Sequence, residues 1–160
     1  MTLSSGLEPH AVITALPATV PFVRTLGIEV TDVREDDGVL VAEATLPDVE
    51  SQRNHVGGPH AGAMFTLGES ASGAVVLAGF ADLLDRATPL AVSAEIRYLR
   101  LARGAVRAVA TTSRPVAEVR AELADGRRPE FTVQVHLSTE DGETGHLDVV
   151  WTLRPHRADG

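Results

Sequence analysis

Cysteine and lysine are both missing from the 160-residue sequence. The lack of cysteine excludes disulfide bonds, thiolate metal sites and a cysteine nucleophile, so any catalytic chemistry must come from oxygen and nitrogen groups. The lack of lysine makes all fourteen basic residues arginines, whose planar guanidinium groups suit bidentate binding of phosphates.

Basic charge is also scarce. Fourteen basic and 22 acidic residues give a formal net charge of −8, which argues against a nucleic-acid-binding protein because phosphate neutralisation needs a basic face. Arg97, Arg100, Arg103 and Arg107 nevertheless fall within one short segment. They form either a phosphate-binding patch or solvated strand ends.

Long apolar runs are missing as well. No window approaches the roughly 18 consecutive apolar residues of a membrane span, and "MTLSSGLEPHAV" lacks the basic start and apolar centre of a signal peptide. We therefore expect a cytoplasmic protein that does not bind a membrane. The length and the 44% hydrophobic content predict one domain over residues 25–156, preceded by a tail and short helix over residues 1–24.

Hydrophobic periodicity predicts an alternation of strands and helices. Residues 11–26 are weakly helical but contain Pro17 and Pro21, which favours a short helix followed by irregular chain. A hairpin over residues 27–47, turning at "EDDG", precedes a helix over residues 60–79. The remaining elements are two strands, a short helix and a second hairpin: residues 89–102, 104–114, 115–126 and 130–155. The order β-β-α-β-β-α-β-β predicts an α+β domain.

The long helix carries one unexpected residue. Its apolar face recurs at steps of three to four residues: Met64, Leu67, Ala71, Val75 and Ala78. Many of its other residues are small, which would let the helix lie close to a sheet. Glu69 is the one formal charge between residues 54 and 79. Burial would raise its pKa and make it a better base, although a structural carboxylate that caps a loop is the alternative.

A motif around this helix resembles that of a known superfamily. Asn54, His60-Ala61-Gly62 and Glu69 resemble the "N…HGG…D/E" signature of PaaI-like and 4-hydroxybenzoyl-CoA-type acyl-CoA thioesterases. The segment "VSAEIRYLRLA" resembles their next strand. These proteins have the hotdog fold, a mostly antiparallel sheet wrapped around a long central helix. The resemblance covers residues 27–155 and is more specific for fold than for substrate.

Two positions depart from this pattern. Ala61 stands where the family usually has glycine, and Leu101 replaces a common proline. The wording "NHVG…AGAMFTLGE" also resembles the DUF4442 branch of hotdog proteins, whose members mostly lack an assigned reaction. Two hypotheses therefore stay open: an acyl-CoA thioesterase, and a non-catalytic module for acyl-ligand binding or assembly.

Thioester hydrolysis needs a base or nucleophile and donors aimed at the developing oxyanion. Glu69 fits the first role. The amide N–H groups of Ala61 and Gly62 fit the second, because they lie at the start of the helix and have no intrahelical partner. A backbone donor does not depend on the side chain, so alanine is tolerated at position 61.

The other catalytic candidates each have a structural alternative. Asn54 orients the attacking water or is a turn residue. His60 belongs to the site or only begins the helix. Ser93 hydrogen-bonds the water or thioester, or is an ordinary polar residue of a strand.

Two kinds of substrate contact are expected for an acyl-CoA ester. Phe65 would line an apolar acyl pocket. The arginine cluster on an otherwise acidic protein predicts that Arg100 or Arg103 contacts the phosphates of coenzyme A. No resident cofactor is expected, since coenzyme A enters as part of the substrate; an acyl-carrier thioester is the alternative substrate. We expect no metal, because the spacing of His55 and His60 fixes no ligand geometry and no third ligand is evident.

Helix geometry predicts an oligomer. Eight residues separate Ala61 from Glu69, which is about 12 Å along one helix. One carbonyl cannot contact both groups, so Glu69 must meet Ala61 of a second chain if both act. The sequence therefore predicts a homodimer or a dimer of dimers with antiparallel central helices, as the family resemblance also implies.

Overall fold

The computed structural model describes residues 8–156, which contain four helices and six strands. The helices are α1 (Pro9–Thr19), α2 (Pro21–Leu26), α3 (Ala61–Phe80) and α4 (Val116–Ala124). The strands are β1 (Glu29–Asp36), β2 (Val39–Leu46), β3 (Ala87–Tyr98), β4 (Val106–Thr112), β5 (Glu130–Thr139) and β6 (Gly142–Pro155). Short 3-10 turns lie at Glu50–Gln52 and Ala81–Leu83.

The strands form one antiparallel sheet in the order β1-β2-β4-β5-β6-β3. Helix α3 packs across this sheet and contacts five of its strands. The predicted α+β class, with a sheet around a long central helix, is confirmed. The first hairpin turns where it was expected, because Asp37 and Gly38 both have positive φ angles, 50° and 78°.

The N-terminal segment differs from the prediction. The chain after Pro17 is not irregular: α1 continues through that proline to Thr19, and α2 begins at Pro21. Pro17 lies in the last turn of α1, so the N–H that it lacks removes one of the last hydrogen bonds of the helix and leaves most of the others in place. Its carbonyl accepts a hydrogen bond from Arg24 Nη1 at 2.8 Å, which joins the two helices. Pro21 occupies a first-turn position, for which its fixed φ is already suited.

The core lies between α3 and the sheet. All five predicted apolar residues of α3 are buried, which confirms the assigned face: Met64, Leu67, Ala71, Val75 and Ala78. By length and composition Ala61–Leu83 could cross a membrane, but 72% of its most apolar window is buried within the fold. It is therefore the core helix. Val12 and Leu16 of α1 are buried in the same core.

Small residues in α3 allow the sheet to approach closely. A Cβ atom added at Gly68 would lie 2.6 Å from Leu147 Cδ2 on β6. One added at Gly79 would lie 3.0 Å from Leu40 Cδ1 on β2. The glycines thus fix how near the helix lies to the sheet, and with it where Glu69 sits.

Candidate active site

Glu69 lies on α3 in a small, mostly apolar cavity of about 230 Å³. Residues of α1, α2 and α3 line the cavity together with Leu84, Pro89 of β3 and Trp151 of β6. The apolar lining includes Leu16, Val23 and Val76. The cavity depends on the N-terminal helices, which the sequence motif does not include.

The Glu69 carboxylate is half-buried and has no hydrogen bond or ion pair with any residue between 8 and 156. Burial raises the pKa of its carboxyl group above the ordinary glutamate value. The Glu69 pKa is therefore raised, as expected, and within residues 8–156 the carboxylate does not cap a loop. A carboxylate with unused acceptor positions and a raised pKa is suited to accept a proton.

The first turn of α3 leaves the Ala61 amide available as a donor within residues 8–156. His60 is the N-cap residue, and its Nδ1 accepts the amide N–H of Gly62 at 2.9 Å. The amide N–H of Ala61 has no partner within the described part of the chain. The Tyr98 hydroxyl donates to the Ala61 carbonyl at 2.9 Å. Of the two predicted donors, Ala61 is the one left available.

Asn54 holds the loop before α3. Its Oδ1 accepts the amide N–H groups of Val56 and Gly58 at 3.0 and 3.1 Å, and its Nδ2 donates to the Pro59 carbonyl at 3.2 Å. These bonds are those of a turn residue. A role in orienting water stays a prediction, and only the second N–H of Nδ2 is left for it.

Ser93 is exposed on β3, at the edge of the sheet. It pairs with Val150, one residue beyond a bulge at Val92. Val150 alternates with the buried residues Val149 and Trp151, so this register places Ser93 on the face directed away from α3. Within one chain the structure does not bring Ser93 to Glu69.

The predicted substrate contacts lie in three places. Phe65 is partly buried on α3 between Ala61 and Glu69. Arg100 donates to the Asp141 carbonyl in the turn between β5 and β6. Arg103 is exposed and has no ion pair with any residue between 8 and 156. Arg107, the last of the four clustered arginines, forms an ion pair with Glu43 of β2.

Sequence reasoning missed three residues at the cavity. Ser70 and Trp151 line it, and Trp151 Nε1 donates to Ser72 Oγ at 3.1 Å. Ser72 Oγ in turn donates to the Glu69 carbonyl oxygen of the main chain at 2.7 Å. Ser70 and Ser72 could have been noticed in the sequence, because they follow Glu69 closely on either side of Ala71. Trp151 could not, because it is 79 residues from Ser72. No cluster of three or more potential metal ligands occurs among the described residues.

Comparison with known proteins identifies the family. The model of the DUF4442 family, a domain of unknown function, matches residues 9–153. The chain belongs to the DUF4442 family. The match covers the N-terminal helices, the helix that carries Glu69, strands β1 to β5 and β6 as far as residue 153. No match was found among functionally curated proteins.

Solved structures show that this DUF4442 protein has the hotdog fold. PA5026 from Pseudomonas aeruginosa, described as a probable thioesterase of unknown function, is 24% identical over 94% of this chain and 97% of its own, with a TM-score of 0.79. The thioesterase HI1161 from Haemophilus influenzae is 22% identical over 99% of both chains, with a TM-score of 0.72. PaaI from E. coli is 17% identical over 88% of both chains, with a TM-score of 0.64.

Proposed function

We propose that this DUF4442 protein is a thioester hydrolase that acts on acyl-CoA or acyl-carrier thioesters. The observation that carries the proposal is the Glu69 carboxylate, which lies in an apolar cavity with a raised pKa and no partner among residues 8–156. An unpaired buried charge destabilises a fold, so its presence favours a chemical role. The hotdog structures described as thioesterases support the same reaction class.

The reaction uses Glu69 as a base. Ionised Glu69 takes a proton from water while the water oxygen bonds to the thioester carbonyl carbon. The carbonyl oxygen becomes negatively charged. It accepts a hydrogen bond from the Ala61 amide at the positive end of α3. The tetrahedral intermediate then breaks its C–S bond, and the thiolate receives the proton held by Glu69. The products are a free acid and a thiol.

Two chains are needed for this arrangement. Ala61 and Glu69 are about 12 Å apart on one straight helix, too far for one carbonyl to contact both. In an antiparallel pair that places Glu69 against the partner chain's amide, Phe65 lies halfway and falls at the two-fold axis. Strand β3 is an unpaired edge with exposed Leu90 and Val92, as expected of a strand that adds to a second sheet.

A panel of acyl-CoA esters, monitored for release of free thiol, tests the activity. Two variants then test the shared site. Glu69→Gln removes the proton acceptor, and we expect kcat to fall by about 10² to 10⁴-fold. Ala61→Pro removes the donor N–H at a first-turn position, where proline is favoured. The preceding His60 has φ −62° and ψ 139°, which is the conformation that a following proline requires.

Mixing the two inactive variants distinguishes a shared site from a single-chain site. After unfolding and refolding together, half of the dimers should be mixed, and each mixed dimer holds one intact site. Activity should recover to about a quarter of the wild-type value. No recovery, with mixed dimers confirmed by sedimentation and mass spectrometry of tagged chains, would show that the two groups do not serve one site across chains.

A second candidate function is a module that binds an acyl ligand without turnover. Asn54 favours this function, because its side-chain oxygen accepts two loop amides and so is not available to orient an attacking water. Calorimetric binding of an acyl-CoA ester that remains intact for hours would establish this function. Release of thiol that depends on Glu69 would exclude it.

A further inference from the structure

The cavity beside Glu69 is lined by one residue, Ser70, whose buried hydroxyl the proposed reaction does not use. Ser70 lines the cavity and is only 2% exposed, and its Oγ has no hydrogen-bond partner within the described residues. Leaving a buried hydroxyl unpaired costs folding free energy, so such groups are uncommon in native proteins. Its neighbour Ser72, also on α3, has two partners.

Most of the other residues that line the cavity around Ser70 are apolar. Val20 and Val23 from α2 and its approach, together with Leu77 of α3, line the same cavity. The hydrogen bond from Trp151 Nε1 to Ser72 Oγ holds the indole against α3, which makes this wall rigid. The Ser70 oxygen is closed off from solvent in its observed rotamer, and rotation about χ1 turns it toward the cavity without moving the helix. Rotation about the Cβ–Oγ bond then directs its proton.

Position and volume define the ligand. Glu69 and Ser70 are consecutive, so their Cα atoms are about 3.8 Å apart. Both residues also line one cavity, so an acyl group that extends into this cavity from a thioester attacked at Glu69 has its first carbons near Ser70. A cavity of about 150 Å³ holds benzene, so the 230 Å³ here accommodates a compact acyl group.

We propose that Ser70 selects compact acyl thioesters that carry a hydroxyl or oxo oxygen within the first few carbons of the acyl chain. The Ser70 hydroxyl forms a hydrogen bond with that oxygen, and the apolar walls hold the rest of the group. This inference rests on the proposed function for its reaction and adds the substrate class. A site that hydrogen-bonds a substrate oxygen discriminates strongly against the analogue that lacks it.

The test compares matched pairs of coenzyme A esters: butyryl with 3-hydroxybutyryl and 3-oxobutyryl, and hexanoyl with 3-hydroxyhexanoyl. We expect the wild-type kcat/KM to be at least about tenfold higher for the oxygenated member of each pair. Ser70→Ala should abolish that preference by lowering kcat/KM for oxygenated esters only. Its melting temperature should stay level or rise, because no hydrogen bond is lost.

Ser72→Ala is the matched control, since it removes a buried hydroxyl two residues away. It leaves Trp151 Nε1 unpaired, so it should lower the melting temperature and reduce kcat/KM for both members of a pair alike. Equal activity of the wild type on both members, or equal loss in Ser70→Ala, would overturn the role of Ser70.

Binding measurements test the role of Ser70 independently of hydrolysis. Kd values for the same esters are measured by calorimetry on Glu69→Gln and on Glu69→Gln with Ser70→Ala. A preference for oxygenated esters that disappears with Ser70 supports the inference even where no ester is hydrolysed. Hydrolysis of the panel without any preference in binding or kcat/KM retains the proposed function and rejects Ser70 as its selector.

Discussion

At the scale of the residue, the chemistry of this protein depends on which polar groups remain unpaired after folding. Within residues 8–156, Glu69 and the Ala61 amide have no partner, whereas the neighbouring Gly62 amide is taken by His60. Among the motif's candidate groups, folding therefore leaves the Glu69 carboxylate available as an acceptor and the Ala61 amide available as a donor. Since burial raises the pKa of Glu69, the same carboxylate also makes stability depend on pH.

We expect Glu69→Gln to be more stable than the wild type near neutral pH. The native state binds the Glu69 proton more tightly than the unfolded chain, whose glutamate pKa is about 4.3. Stability therefore falls as pH rises from that value through the raised native pKa, and the penalty is complete above it. The variant lacks this penalty. Urea unfolding should show its advantage at about pH 7.5 and little difference at about pH 4.

Glu118→Gln is the control, because this glutamate is exposed on α4. Its effect on the free energy of unfolding should stay within about 0.5 kcal/mol at both pH values. A Glu69→Gln variant that is less stable than the wild type at neutral pH would assign the carboxylate a structural role and leave the binding-module function ahead.

At the scale of the element, α3 carries the proposed catalytic groups and also packs closely against the sheet. Two of its glycines have different surroundings. The space at Gly68 is filled by Leu147, which is fully buried and cannot move aside, whereas a Cβ atom at Gly73 would meet only Leu16 Cδ1 at 3.9 Å. Side-chain volume is therefore excluded on the sheet side of α3 and allowed on the cavity side.

Alanine substitutions at these two glycines should have opposite effects. Gly68→Ala overpacks the interface with Leu147 and should destabilise the protein by about 1–3 kcal/mol. Gly73→Ala creates no clash and gains helix propensity, so it should stabilise by up to about 1 kcal/mol. Thermal or urea unfolding of both variants provides the measurement. Equal effects of the two substitutions would show that the close approach at Gly68 does not limit packing.

At the scale of the whole molecule, the proposed acyl-CoA substrate is an anion that an acidic protein has to attract. The net charge of −8 repels coenzyme A at long range, so a local arginine is required. Arg107 and Arg97 are paired with carboxylates of their own chain, and Arg100 is bonded to the main chain at Asp141. Arg103 is the member of the cluster that remains exposed and unpaired within residues 8–156.

Arg103→Ala should raise the KM for an acyl-CoA ester about 2- to 5-fold at low salt, the range expected for one exposed ion pair. The effect should shrink at high salt because the interaction is screened. An acyl-pantetheine, which lacks the nucleotide phosphates, should show little change. Arg127→Ala, which removes an exposed arginine after α4, serves as the control. Equal changes in KM for both substrates would remove Arg103 from phosphate binding.

Local pattern alone determined most of the architecture. The three-to-four-residue spacing of apolar residues assigned the buried face of α3, and the Asp37-Gly38 pair set the first turn, because periodicity and positive φ are properties of short segments. The same local information placed Glu69 in an apolar helix with a perturbed pKa, and the motif indicated the DUF4442 branch.

Tertiary structure decided which of the candidate groups are free to act. Asn54 is committed to its loop, and the β3 register with its bulge turns Ser93 away from α3. The cavity is lined by segments that are distant in the sequence. Residues of α1 and α2 lie beside Glu69, and so does Trp151, which is 79 residues from Ser72. Hydrogen-bond partners and cavity walls are set by contacts between distant segments, so no periodicity within one segment could reveal that Ser70 remains unpaired.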